Sequence, residues 1–187
     1  VSTITATDMT GSGTTWTYAY TAPAGNGTET ISLSTGTDAA GNVVTATPTS
    51  GGTFTVDNTS PTGAITYSTP GPYKENATAT ITATFTESLT TTPKIAISGV
   101  STITATDMTG SGTTWTYAYT APAGNGTETI SLSTGTDAAG NVVTATPTSG
   151  GTFTVDNTAP TGAITYSTTG PYKENDTATI TATFTES

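Results

Sequence analysis

Residues 77–86, ATATITATFT, carry an apolar side chain at every odd position and threonine at every even position. Successive side chains of a β-strand point to opposite faces of its sheet, so this period of two predicts a half-buried strand. Threonine suits the polar face because its β-branched side chain fits a pleated surface. No segment shows helical spacing of apolar residues with capping residues at its ends. The pattern therefore predicts an all-β chain.

The chain repeats itself at an offset of 99 residues. Residues 1–58 are identical to residues 100–157, whereas the segment LTTTPKIAISG, residues 89–99, occurs only once. Residues 59–88 match residues 158–187 except at three pairs of positions, which are Ser60/Ala159, Pro70/Thr169 and Ala77/Asp176. The repeat predicts three parts. These are the C-terminal part of one unit (1–57), a complete unit (58–157) and the N-terminal part of a third (158–187).

Seven strands are predicted in the complete unit, and turns rich in glycine, proline and asparagine separate them. They are residues 63–68, 77–87, 94–98, 101–106, 113–121, 127–136, and 142–147 continued by 152–156. The predicted core-facing residues are Ile65, Tyr67, Ile81, Phe85, Ile95, Ile97, Ile103, Ala105, Trp115, Tyr117, Tyr119, Ile130, Leu132, Phe153 and Val155. Seven short strands with such turns favour a β-sandwich. The break PTSGG at 147–151 predicts a bulge or local loop in the last strand, because proline cannot donate to a ladder.

The charge balance excludes several classes of function. The chain has 13 acidic residues against three lysines and no histidine, which disfavours binding to nucleic acid or to an anionic membrane surface. No segment is apolar and long enough for a transmembrane helix. The absence of cysteine and histidine removes disulfides, zinc sites and thiol nucleophiles, and serine and threonine lack an evident base. We therefore expect no enzyme, and the remaining oxygen ligands suit a hard cation such as calcium.

Three motifs recur in order at domain-sized spacing. DAAGN occupies residues 38–42 and 137–141, and it is followed by FTVDNTSPT at 54–62 and FTVDNTAPT at 153–161. The stretch YKEN…TATITATFTES follows the linker. Together they resemble the bacterial Ig-like tandem repeats of giant secreted adhesins and other long surface proteins. The resemblance implies tandem Ig-like β-sandwiches in an extended extracellular rod at the cell surface, often stiffened by calcium at the domain junctions.

Acidic residues are predicted to meet at the end of the complete unit where its chain enters. If successive strands alternate in direction, the loops after the second, fourth and sixth strands share that end with the linker. The candidate calcium ligands there are Asp57, Glu87, Asp107, Asp137 and Asn141, and their counterparts in the partial units are Asp8, Asp38, Asp156 and Glu186. Calcium takes six to eight oxygen ligands and would offset the repulsion between the carboxylates. The alternative is that each aspartate only hydrogen-bonds its own turn.

Near-identical neighbouring units favour a structural role, because an array that sets length needs copies rather than specialised sites. We expect a spacer in an extracellular adhesin or fibre, with neighbouring repeats as its partners. Calcium at the linkers would fix the angle between units. A surface glycan would then be bound elsewhere in the full protein.

Three alternatives stay open. An aromatic strand face occurs twice, as Trp16, Tyr18 and Tyr20 and as Trp115, Tyr117 and Tyr119. Such a face is typical of glycan-binding modules, although the same residues also fill small cores. The ranks of threonine are similar to ice-binding surfaces, a weaker possibility because sheets twist. Finally, residues 158–187 and 1–57 are the front and back of one unit, so identical chains would form head-to-tail filaments by completing split sandwiches.

Overall fold

The computed structural model describes residues 2–186 and confirms an all-β chain. The described range contains thirteen strands and no helix, and therefore no helix with the length and hydropathy needed to span a membrane. The strands are β1 (Thr10–Ser12), β2 (Thr15–Thr17), β3 (Gly27–Thr30), β4 (Thr53–Val56), β5 (Gly63–Tyr67), β6 (Thr78–Leu89), β7 (Lys94–Ser98), β8 (Thr102–Asp107), β9 (Thr109–Thr120), β10 (Gly126–Ser133), β11 (Thr152–Val155), β12 (Gly162–Tyr166) and β13 (Ile180–Phe184).

The central repeat contains a three-stranded sheet and a four-stranded sheet. The first has the order β5-β6-β9 and the second the order β11-β10-β7-β8, with antiparallel pairing throughout. The chain passes from one sheet to the other at the buried Met108, between β8 and β9. Apolar side chains from both sheets belong to one buried cluster. The two sheets therefore share a single core, as the alternating apolar pattern requires.

The predicted core-facing residues occupy this core with one exception. All lie in the buried cluster or pack against it, except Ala105, which is exposed. The register between β7 and β8 shifts between the pairs Ile95–Thr106 and Ile97–Ile103. After Ile103 every residue of β8 is exposed, so the strict alternation predicted for that strand fails.

The predicted strand at 142–147 is not a regular strand. Only residues 152–155 of that region form one, as β11. The preceding segment instead runs parallel to β5, with Ile65 N donating to Ser149 O at 3.0 Å and Thr148 N donating to Gly63 O at 2.8 Å. The predicted break is a loop in which Gly150 has φ of +66°. A Cβ atom on Gly150 would lie 2.2 Å from Ile65 O, so both backbone conformation and space require glycine there.

The flanking parts of the chain form smaller sheets. Within the described residues, β1 pairs with β2, β3 pairs with β4, and β12 pairs with β13, each as a two-stranded sheet. Large apolar side chains of these parts are exposed, including Trp16, Tyr18, Ile180 and Phe184. Their counterparts in the central repeat are buried or half-buried, because there the missing strands are present.

Candidate metal site

Three carboxylates converge at the point where the linker enters the central repeat. Asp57 follows β4 in the linker, Glu87 lies near the end of β6, and Asp137 lies in the loop after β10. One oxygen of each lies within 4.8 Å of the others. We call these three residues the acidic triad. The prediction that linker, second strand and sixth-strand loop meet at one end of the unit identified all three.

Asp137 is fixed by its own loop. Its Oδ1 accepts hydrogen bonds from the main-chain N–H groups of Ala139 at 2.8 Å and Asn141 at 2.9 Å, and its Oδ2 accepts one from Asn141 Nδ2 at 2.9 Å. The side chain is only 4% exposed. Burial raises the pKa of Asp137, but the hydrogen bonds from Asn141 and the neighbouring main chain outweigh burial and leave the pKa below its usual value. Asp137 is therefore held as a carboxylate.

Asp57 accepts one hydrogen bond from within the linker and one from the central repeat. Its Oδ1 accepts a hydrogen bond from Thr59 N at 2.9 Å, which is a local turn. Its main-chain oxygen accepts a hydrogen bond from Asn141 Nδ2 at 3.1 Å. The amide group of Asn141 therefore donates to both the linker and Asp137. Asn141, expected to supply an oxygen ligand, orients the two acidic residues through its nitrogen.

Glu87 is the member of the triad whose pKa is raised. Burial raises its pKa first, and the negative charges of Asp57 and Asp137 raise it further. A hydrogen bond with Asp57 acts in the same direction. Like charges at this separation disfavour ionisation of one member of the group, whereas a cation between them would favour it. The donor set, three carboxylates, offers the oxygen ligands that a hard divalent cation such as calcium takes.

The first partial repeat provides an internal control for this loop. Asp38, the counterpart of Asp137, accepts hydrogen bonds from Ala40 N at 2.9 Å, Asn42 N at 2.8 Å and Asn42 Nδ2 at 2.9 Å. The hydrogen bonds from Asn42 lower the pKa of Asp38. The loop therefore adopts the same conformation where no linker reaches it. The aspartate therefore hydrogen-bonds its own turn in both copies, as the alternative interpretation predicted. The acidic triad forms where Asp57 and Glu87 also approach Asp137.

Asp107 does not join the triad. Its Oδ1 forms an ion pair with Lys94 Nζ at a distance of 2.6 Å. Lys94 and Asp107 are direct register partners at the ends of β7 and β8, so the hairpin brings the lysine to the aspartate. The expectation that Asp107 converges with the other acids is corrected by this pairing across the hairpin.

The other four predicted ligands do not gather into a comparable group. Asp8, Asp38 and Glu186 are exposed, and Asp156 is half-buried. Asp156 repeats the local turn of Asp57, because its Oδ1 accepts a hydrogen bond from Thr158 N at 2.9 Å. Within residues 2–186, the triad is the one group of three such ligands.

The aromatic strand face is part of the core in the central repeat. Trp115 and Tyr119 are buried, and Tyr117 packs against the same cluster. Trp16 and Tyr18 are exposed in the first partial repeat, where the strands that would cover them are missing from the sheet. The exposure of these rings is therefore a property of the incomplete unit, and the complete unit presents no such platform.

Sequence reasoning missed a buried carboxylate on β10. Glu128 is fully buried, and its Oε1 accepts hydrogen bonds from Ser101 N at 2.7 Å, from Tyr119 OH at 3.2 Å and from Ser101 Oγ. Its Oε2 has no hydrogen-bond partner among the described residues. The signal was present, because Glu128, Ile130 and Leu132 share one phase of the period-two pattern. The carboxylate links strands of both sheets.

Comparison of the chain with protein-family models, curated proteins and solved structures gives no match. Assignment to the bacterial Ig-like repeats stays a prediction from the sequence motifs.

Proposed function

We propose that this chain is a spacer segment of an extracellular adhesin or surface fibre, built from Ig-like β-sandwiches in tandem. Two antiparallel sheets around one core, in a unit of about a hundred residues, support the Ig-like assignment. Near-identity of the units supports a role in setting length. The twelve-residue strands β6 and β9 span roughly 40 Å each, so every unit adds a comparable reach.

The hydrogen bonds of the linker support a rod whose units are joined at restricted angles. Asn58 N donates to Asn26 Oδ1, and Asn58 Nδ2 donates to Gly25 O, which ties the linker to the preceding partial repeat. Asn141 Nδ2 ties Asp57 O to the central repeat. The residues that join two units are therefore hydrogen-bonded to both of them, which restricts the joint before any ion binds.

The proposed cofactor is calcium, held by Asp57, Glu87 and Asp137. The observation that carries this proposal is that the triad joins the linker to two separate segments of the following repeat, with oxygens within 4.8 Å. A bound divalent cation would neutralise the mutual repulsion of these carboxylates and hold the linker against the repeat. Main-chain oxygens and water would complete the six to eight ligands that calcium takes.

Calcium titration and solution scattering test the two parts of this proposal. Isothermal titration should give one calcium site per chain, which Asp137→Asn abolishes and the matched variant Asp38→Asn leaves in place. Small-angle scattering should show a shorter or more variable maximum dimension after a chelator is added. No binding heat would contradict the metal site. Binding without a change in dimension would contradict the stiffening role.

A further inference from the structure

The loop between β6 and β7 carries three consecutive threonines, Thr90–Thr92, and crosses from one sheet of the central repeat to the other. Both ends of the loop are anchored in the core, because Leu89 and Pro93 are buried. The three threonines between these anchors are exposed. The loop therefore presents hydroxyl groups from a main chain that is fixed on both sides.

The segment after β10 lies directly against this crossing loop. Gly135 is buried there, and a Cβ atom at that position would lie 2.8 Å from Leu89 Cδ1 and 3.0 Å from Pro93 Cβ. A side chain at residue 135 would push the two segments apart, so glycine is what allows their close approach. The main chain on either side of Gly135 is thereby brought within reach of the threonine hydroxyls.

Threonine hydroxyls join the two segments. Thr91 Oγ1 accepts a hydrogen bond from Thr136 N at 2.8 Å, lies 2.8 Å from Thr136 Oγ1 and donates to Thr134 O at 3.2 Å. Thr90 Oγ1 lies within donating distance of two main-chain oxygens, Thr136 O at 3.1 Å and Asp137 O at 2.9 Å. We call Thr90, Thr91, Thr134 and Thr136 the threonine clamp.

The threonine clamp leads to the loop that contacts the linker. Asp137, whose main-chain oxygen faces Thr90 Oγ1, binds Asn141 through both of its carboxylate oxygens. Asn141 Nδ2 in turn donates to Asp57 O in the linker at 3.1 Å. A continuous series of hydrogen bonds therefore runs from the crossing loop between the sheets to the residue through which the chain enters the repeat.

The first partial repeat shows the same turn without a clamp. Its loop at 38–42 keeps its local hydrogen bonds. Thr35, the counterpart of Thr134, donates there to the adjacent Ser34 O at 2.7 Å, whereas Thr134 Oγ1 donates across to Thr92 O at 3.1 Å. The turn does not need the clamp for its conformation. The clamp instead determines where the turn lies relative to the two sheets.

We propose that Thr90 and Thr91 are positioning residues for the joint, because they hold the loop after β10 at the place where Asn141 meets the linker. The inference rests on the proposed role of the linker as a restricted joint, but it does not depend on a bound ion. Loss of either hydroxyl would leave the turn intact and allow the whole loop to move away from the linker. Loss of the Thr91 hydroxyl would also leave Thr136 N without its acceptor, which favours opening.

Amide hydrogen exchange of the whole chain in chelator tests the proposal at Thr59 N, which donates to Asp57 Oδ1. Thr91→Val removes the hydroxyl at nearly constant shape and should raise the exchange rate at Thr59 roughly fivefold, the factor that corresponds to one hydrogen bond. Thr90→Val should act in the same direction. Thr91→Ser keeps a hydroxyl and should restore the wild-type rate. Thr92→Val is the matched control on the same loop, because among the described residues Thr92 joins the network only through its main-chain oxygen.

A double substitution distinguishes positioning from a general loss of stability. In the background of Asn141→Ala, Thr91→Val should have no further effect on exchange at Thr59, because the contact through which Thr91 acts is already absent. Any one of three results would overturn the proposal: unchanged exchange in Thr91→Val, an equal effect of Thr92→Val, or full additivity with Asn141→Ala. All readouts are taken without calcium, so failure here is distinguishable from failure of the proposed metal site.

Discussion

The side-chain amide of Asn141 donates a hydrogen bond to the main-chain oxygen of Asp57, 84 residues earlier in the chain, at 3.1 Å. The same amide nitrogen donates to Asp137 Oδ2 at 2.9 Å. One side chain in the loop after β10 therefore contacts the linker and a member of the triad at once. This contact joins the linker to the central repeat without a metal ion.

Replacement of Asn141 by alanine should loosen that joint. The variant loses the hydrogen bond to Asp57 and one of the bonds that orient Asp137, each worth about 1 kcal/mol. We expect faster amide hydrogen exchange at Thr59, weaker calcium binding and a melting temperature of the central repeat lowered by about 4–8 °C, since the bond to Asp137 lies within that repeat. Asn42→Ala is the matched control, because Asn42 makes the same loop contacts to Asp38 but, among the described residues, no hydrogen bond to a linker. Equal exchange in the two variants would contradict the role of Asn141.

Replacement of Glu87 by glutamine should stabilise the protein in chelator at neutral pH. Burial and the charges of Asp57 and Asp137 raise the pKa of Glu87 above 4.5 in the folded state. Folding therefore gains from this group while it is protonated, and that gain is lost as the pH rises from 4.5 through the raised folded pKa. The variant stays neutral and avoids the loss.

Thermal melting from pH 3 to pH 8 in chelator checks this prediction. The two melting curves should coincide at low pH and separate at neutral pH, with the variant more stable. Added calcium should reverse the order, because the wild-type carboxylate is the better ligand. Glu186→Gln is the control, since Glu186 is exposed and outside the triad. A wild type that melts higher than Glu87→Gln in chelator at pH 7 would contradict the electrostatic explanation.

Replacement of Ser101 by alanine should destabilise the central repeat by about 1–3 kcal/mol, the usual cost of removing a hydrogen-bond partner from a buried polar group. The hydroxyl of Ser101 donates to the buried Glu128 Oε1, which is left with fewer donors when the hydroxyl is removed. Chemical denaturation measures the free energy of unfolding. Ser101→Thr keeps a hydroxyl and should recover part of the loss, whereas a simple packing defect would not respond to the hydroxyl.

Replacement of Gly150 by alanine should lower the melting temperature of the central repeat. The residue has φ of +66°, which costs an L-residue about 1–2 kcal/mol, and the new Cβ would lie 2.2 Å from Ile65 O. Gly51 has the same φ in an identical sequence, but a Cβ there meets no atom within 4 Å. Gly51→Ala should therefore leave the central transition nearly unchanged. Equal effects would show that the loop does not pack against β5.

The sequence predicted most of the strands and most of the core because the period-two pattern is nearly unbroken. Ala105 departs from the pattern, since the shift between β7 and β8 depends on how two strands pair and no local residue pattern records it. The buried position of Glu128 was readable from its phase with Ile130, but a carboxylate is normally assigned to the surface. Its partners are distant in the chain, because Tyr119 lies in β9 and Ser101 immediately precedes β8.

The acidic triad was predictable in part for a topological reason. Alternating strand directions place the linker, the end of β6 and the loop after β10 at one end of the unit, whatever the sheet order is. Asp107 lies at the end of β8 and was included on the same ground. Only the register of β7 against β8 shows that Asp107 forms an ion pair with Lys94 instead. Spacing thus predicts which end of a domain a side chain occupies, but not which neighbour it contacts.

The parallel contact between β5 and the segment before β11 has a mechanical consequence. Hydrogen bonds from Thr144 N to Pro61 O, from Thr148 N to Gly63 O and from Ile65 N to Ser149 O join the first and last stretches of the repeat side by side. A pull on the two ends of the repeat would draw these stretches past each other and load the bonds together, in shear, rather than one after another. The place where the predicted strand loses its regularity is therefore where the repeat would resist extension.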